Sequence, residues 1–304
     1  MEPTHIFSPI TLRDTEFKSR LFVDSIHEEV TGKEIKEQIV FDLKKAKNHV
    51  GLIISGRALV ISNEKYGKGF LSVAADEDID DLKHLTEAVH EEGGKIALQL
   101  FDIGETLVHP SVHTKTPKRM PEKEIYLMIE AFAKGANRAK QAGCDAVEIL
   151  GSNGYLINQF LSPLTNKRKD KWGRTFENRM HFSLGVARHV REYVGEHFPV
   201  LYRIPALFLE EDSTTEEQIL HLAKQLDFSG IDLLNIGVGW YETMSDSNSL
   251  KASEDAFLSA AERIKKHVSI PIGITKPLNN FDRADQLVKN ETADMIAVLP
   301  ETSP

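Results

Sequence analysis

The stretch 151–179, GSNGYLINQFLSPLTNKRKDKWGRTFENR, is polar and rich in paired charges. A long loop must satisfy its own backbone groups through Asn, Asp and Ser side chains, and Arg to carboxylate pairs can fix its path, so such a stretch is first a loop scaffold. A second signal is Gln99, inside the apolar run 96–100. Burying its amide without a partner would be costly, and a group that both donates and accepts suits a bound ligand. Other candidates carry less. The twelve histidines are scattered, and His109 and His113 (HPSVH) have no obvious third ligand, so no metal site is expected. Gly237-Val238-Gly239 lacks the third, helix-opening glycine of a dinucleotide fingerprint. Cys144, the single cysteine, follows Gly143 before an apolar run and reads as a small buried residue; it excludes an intrachain disulfide and fits a reducing compartment.

These residues must be held by regular elements, and the chain supplies them in alternation. Apolar runs at 21–24, 51–55, 95–101, 146–150, 200–204, 233–237, 270–275 and 295–299 read as eight strands. Segments 31–48, 78–92, 122–141, 177–194, 215–226, 254–266 and 281–289 carry apolar residues at helical spacing, giving seven helices. That order predicts an α/β fold, a (β/α)8 TIM barrel, with an open doubly wound sheet as the alternative. After the eighth strand only 300–304 remain, so the eighth covering helix is missing and the seam between last and first strand is left for a partner subunit or for solvent. Residues 1–304 show no linker or composition shift and read as one barrel domain, whose ligands would be held by the loops after the strand C-termini.

Composition narrows the partners. With 41% hydrophobic and 27% charged residues the 304-residue chain can bury a large core, and it is an ordinary size for one barrel of about 250 residues. A formal charge of −9 disfavours nucleic acid and anionic membranes, since phosphate contacts need concentrated Lys and Arg, and the basic run at Lys167, Arg168, Lys169 and Lys171 is broken by Asp170. No apolar stretch nears the roughly 20 residues that span a bilayer, and residues 1–7 lack a signal-peptide layout, so a soluble cytoplasmic protein is expected.

Within 151–179, Asn158, Gln159, Phe160, Leu161, Ser162, Pro163, Asn166, Arg168, Asp170, Gly173, Glu177, Asn178 and Arg179 fit in order the pattern N-Q-F-L-S-P, two residues, N-x-R-x-D, two residues, G, three residues, E-N-R. The chain here resembles the old yellow enzymes, FMN-dependent NAD(P)H oxidoreductases that reduce activated alkenes. The likeness extends to Phe7-Ser8-Pro9-Ile10, Lys18-Ser19-Arg20, Gln99-Leu100 and Asp145-Ala146-Val147-Glu148-Ile149, while 107–120 is shorter than the family's usual loop and the chain stops some tens of residues early.

The resemblance implies FMN as cofactor and NAD(P)H as reductant. It implies that Arg203 meets the N1 and O2 edge of the flavin, that Gln99 hydrogen-bonds its pyrimidine side, that Ile26 lies beside it and that Lys276 supplies a charge for its phosphate. Tyr155 matches the tyrosine that protonates the substrate carbon opposite the hydride, and Asn153 the second of two side chains that hold a carbonyl or nitro oxygen. The first of those two is here Leu150, which cannot donate. Other positions depart as well: Asp24, Ser25, Ile26 and His27 stand for A-P-M and Thr or Cys, Arg57 for a small residue against the ring, and Asp102 and Glu105 for His and Arg. Lys276 with Pro277, and Leu299 with Pro300, stand for phosphate-binding Gly and Gly-Arg, and proline offers no amide hydrogen. Two functions remain open at this level. One is an FMN-dependent oxidoreductase passing hydride to an activated alkene; the other is a degenerate barrel with weak or no FMN binding that serves as a binding or scaffold protein.

Overall fold

The computed structural model describes residues 4–24, 37, 39–41, 44, 49–62, 70–104, 120–207, 214–238, 254–278 and 280–299. After a hairpin of β1 (Ile10–Leu12) and β2 (Thr15–Phe17) come β3 (Leu21–Asp24), β4 (Leu52–Leu59), β5 (Leu71–Ser72), α1 (Asp78–Glu91), β6 (Ile96–Phe101) and α2 (Glu122–Gln141). They are followed by β7 (Ala146–Leu150), α3 (Leu156–Leu161), α4 (Phe176–Val194), β8 (Val200–Leu207), α5 (Glu216–Phe228) and β9 (Leu233–Val238), then by α6 (Glu254–Lys265), β10 (Ile272–Ile274), α7 (Phe281–Lys289) and β11 (Met295–Ala297). Strands β3, β11, β10, β9, β8, β7, β6 and β4 pair in that order, all parallel, and pairing of β3 with β4 closes the barrel. The near-continuous Val, Ile and Leu of these runs follow from burial on both faces.

The helices begin and end where local chemistry satisfies their free backbone groups. Thr175 caps α4 by accepting from Asn178 N, Thr215 and Gln218 form a capping box on α5, and Asn280 caps α7. Gly93 and Gly143, at φ 69° and 88°, turn the chain out of α1 and α2.

Inside the barrel, side chains point inward at every second residue of a strand. Phe22, Leu52, Ala97, Ala146, Leu201, Leu233 and Met295 form the lower interior layer, and Ile10, Leu12 and Phe17 of the hairpin pack onto it as a floor. Two residues further along, the same alternation aims Asp24, Gln99, Glu148, Arg203 and Asn235 inward, toward the C-terminal mouth. A larger apolar cluster lies between barrel and helices.

Several sequence-level expectations change. Strand β4 runs on to Leu59 past a register shift between Ile54 and Arg57, where a bulge forms. Residues 156–161, read as loop, form the short α3, and the hairpin and β5 have no counterpart among the expected strands. Of the helix expected at 31–48, only Glu37, residues 39–41 and Lys44 are among the described residues, and Ile39 is buried.

The seam expected to be open is buried. Ile296 pairs with Leu21 and Ala297 with Phe22, and all four are shielded from solvent. The N-terminal residues pack beside this corner. Ile6 is fully buried, Phe7 meets Phe281 edge-on at 5.9 Å, and Asp285 of α7 accepts from the amides of His5 (2.6 Å) and Ile6 (3.0 Å). A partner subunit is therefore not needed to cover the seam. Residues 300–304 lie outside the described residues. Among the described residues, no helix is long and apolar enough to cross a membrane.

Candidate functional site

The upper interior layer is a buried charge network centred on Glu148 of β7, which has no exposed surface. Its Oε2 accepts from Gln99 Nε2 at 2.6 Å and lies 2.9 Å from the Arg203 guanidinium, while its Oε1 accepts from Asn235 Nδ2 at 2.5 Å. On its other side Arg203 faces Asp24, NH1 to Oδ2 2.8 Å. A carboxylate in so dry a place is costly unless paired and hydrogen-bonded, and three neighbours on three strands meet that requirement here. Burial still pushes the Glu148 carboxyl above the usual carboxylate range, opposed by the charge of Arg203. Burial would lower the Arg203 pKa, but Asp24 and Glu148 outweigh it and hold the guanidinium charged. Glycine at 237 leaves room for the stem of Arg203, since an added Cβ would stand 3.0 Å from its Cγ. The Nε of Arg203 has no hydrogen-bond partner.

Beside this network, the loop after β7 is built by the motif that the sequence singles out. Asn153 and Gly154, at φ 61° and 74°, make the turn, and Ser152 Oγ donates to Asn153 Oδ1 at 2.6 Å. Asn158 accepts from Gly154 N, Gln159 donates to the carbonyls of Gly154 and Ile103, and Asn166 donates to those of Phe160 and Trp172. Arg168 forks onto Asp170 and also reaches Met120 O, while Arg179 Nε donates to Leu161 O. These side chains bond the loop's own backbone, each other and the neighbouring carbonyls of Ile103 and Met120, so Arg168 of the basic run is part of a scaffold.

The loop sets Tyr155 at the mouth, only 2% exposed and edge-on to Phe101 at 5.2 Å. Leu59, Phe101, Ile103, Leu150 and Tyr155 form a small apolar cluster of their own, with Phe70 against it. The Tyr155 hydroxyl accepts from Arg57, whose guanidinium lies 5.4 Å from the Tyr155 ring centre and 5.7 Å from that of Phe70. Nearby, burial raises the Asp102 pKa, opposed by the amide of Gly104.

The structure thus joins Gln99 and Arg203 through Glu148, and sets Tyr155 and the half-buried Asn153 together at the end of β7. Lys276, after β10, lies 5.9 Å from the Phe257 ring centre. Ile26 falls outside the described residues, as do Glu105, His109 and His113. Among the described residues, no three His, Cys, Asp or Glu side chains group as metal ligands would. Sequence reasoning gave Glu148 and Asn235 no site role and met Asp24 only as a departure from the family pattern. A Glu inside the run Ala-Val-Glu-Ile-Leu carries the same warning as Gln99, and strand alternation aligns it with Gln99 and Arg203.

The description "NADH:flavin oxidoreductase / NADH oxidase family" belongs to a family model that matches residues 5–299. A metal reductase of Desulforamulus reducens is 32% identical over 96% of this chain and 46% of its own length. An NADPH dehydrogenase of Geobacillus sp. (strain WCH70) is 30% identical over 98% of this chain and 90% of its own. The solved structure of an old yellow enzyme homologue from Zymomonas mobilis superposes with a TM-score of 0.74 at 23% identity, covering 97% of this chain and 88% of that one. The chain spans about half the length of the metal reductase (46%) and most of the NADPH dehydrogenase (90%).

Proposed function

Because the chain belongs to the NADH:flavin oxidoreductase / NADH oxidase family, as a member of old yellow enzyme type, we propose that it passes reducing equivalents from NAD(P)H to an activated alkene or a similar electron-poor small molecule. FMN, with NAD(P)H as reductant, is the pairing that the family and its neighbours imply. The observation that carries the reading is the pair Gln99 and Arg203 in the upper interior layer. Gln99 brings an amide, and Arg203 keeps a buried Nε donor without a partner. Such a donor set fits the polar edge of a flavin ring.

Bound there, FMN would supply the hydride chemistry that no side chain can. The rest falls to the chain. Gln99 and Arg203 would orient the ring edge, and Lys276 would meet the phosphate with one point charge. Asn153 would hold the acceptor's carbonyl or nitro oxygen by a single contact, since Leu150 offers no donor. Tyr155 would give its hydroxyl proton to the acceptor carbon opposite the hydride. Its ring is buried against Phe101, and its hydroxyl accepts from Arg57.

Purified protein that carries a flavin spectrum, bleached by NADPH and restored by an electron-poor alkene under anaerobic conditions, is the expected result. A specific observation favours a second reading, a degenerate barrel with weak or no FMN binding that acts as a binding or scaffold protein. Arg57 reaches the Tyr155 hydroxyl, and Asp24 adds a carboxylate to Arg203. Colourless protein, unchanged in melting temperature and flavin fluorescence on adding FMN, would decide for that second reading.

A further inference from the structure

Arg57 is the ladder partner of Gln99, so its side chain leaves the sheet beside the amide proposed to meet the flavin. The bulge just before it sets that direction, because the extra residue between Ile54 and Arg57 bends the strand and re-aims the side chains beyond it. From there the guanidinium reaches the Tyr155 hydroxyl, two strands along the sheet, and lies over the Phe70 and Tyr155 rings. Leu150 belongs to the same apolar cluster as Tyr155 and Phe101. The side chain therefore spans the interval between Gln99 and Tyr155, the residues proposed to face ring and acceptor. A flavin ring held by Gln99 with an acceptor reaching Tyr155 would need that interval.

We propose that Arg57 is an internal occupant of the flavin slot, so that the affinity of this chain for flavin is set by an exchange between its own guanidinium and the ring. The inference rests on the flavin reading of Gln99 and Arg203 and assigns to Arg57 the control of that site. Aromatic faces and a hydroxyl hold the cation in the closed state, and removing the side chain opens the slot.

The test is titration of the full chain with FMN and, separately, with riboflavin, followed by quenching of flavin fluorescence. Wild type is compared with Arg57→Gly and Arg57→Met, each first checked for an unchanged circular dichroism spectrum. Arg57→Gly is expected to tighten both flavins at least tenfold, by similar factors because the contest is for the ring and not the phosphate, and Arg57→Met to fall between. If Arg57→Gly binds no tighter than wild type, or loses only FMN, Arg57 is a neutral neighbour or a phosphate ligand and the inference is wrong. If wild type and both variants bind neither flavin, the flavin reading of the site fails and takes the inference with it.

Discussion

Arg203 and Asp24 face each other across the barrel mouth at 2.8 Å, each about 3% exposed, with Glu148 on the guanidinium's other side. Two carboxylates thus share one cation in a place without solvent. Replacing Arg203 by Met strands both acids and should cost about 3–5 kcal/mol, the usual penalty for breaking a buried pair. Asp24→Asn leaves Arg203 balanced by Glu148 and should cost on the order of 2 kcal/mol or less. Urea denaturation of the two variants gives the order, and an Asp24→Asn loss as large as that of Arg203→Met would contradict it.

Tyr155→Phe keeps the ring against Phe101 and removes only the hydroxyl. As proposed proton donor to the acceptor, that hydroxyl is worth a factor of about 10² or more in alkene reduction. Flavin reduction by NADPH should proceed at the wild-type rate. Stopped-flow traces of the two half-reactions separate these effects, and equal losses in both would assign Tyr155 to packing.

Asp102 gives a pH dependence of known sign. Burial raises its pKa in the folded chain, so the native state holds its proton more tightly than the unfolded state does. Its contribution to stability is therefore lost as pH rises from the ordinary carboxylate range through the raised value. Asp102→Asn keeps an acceptor for Gly104 N and carries no charge. The stability gap between variant and wild type should widen upward through that window, read from melting temperatures across pH, and a constant gap would refute it.

Asp285 has the opposite sign. Burial would raise its pKa, but the amides of Ile6 and His5 and the His5 ring outweigh this and lower it. Its contribution is present above the ordinary carboxylate range and is lost as pH falls through the folded-state value. Asp285→Asn should remove that acid-side loss and loosen residues 4–10, so that limited proteolysis near His5 speeds up at neutral pH. Unchanged cleavage would show that the N-terminal residues are held by Ile6 and Phe7 alone.

Much of this was legible in the residues because it is local. Runs of Val, Ile and Leu marked every barrel strand, and of the seven helices from Asp78 onward all but the short α3 lie within a few residues of their periodic patterns. The site was legible only in part. Gln99 stood out because an amide in an apolar strand needs a partner, yet that partner is Glu148, 49 residues away, and only closure of the barrel brings them together. Asp24 appeared as a departure from a family pattern, whereas in the fold it is half of an ion pair with Arg203. The direction of Arg57 depends on a bulge at Ser55 and Gly56, where the glycine inside the strand was the only local sign and the strand was read as ending at Ser55. The cover of the seam depends on Ile6 meeting α7 from the other end of the sequence.

The hairpin floor of Ile10, Leu12 and Phe17 closes the lower end of the barrel interior beneath the charge network. Exchange of the network's labile hydrogens with bulk deuterium then leads through the upper end, where Arg57 meets Tyr155. Their lifetimes measure how often that doorway parts, a clock for the mouth that runs without any ligand.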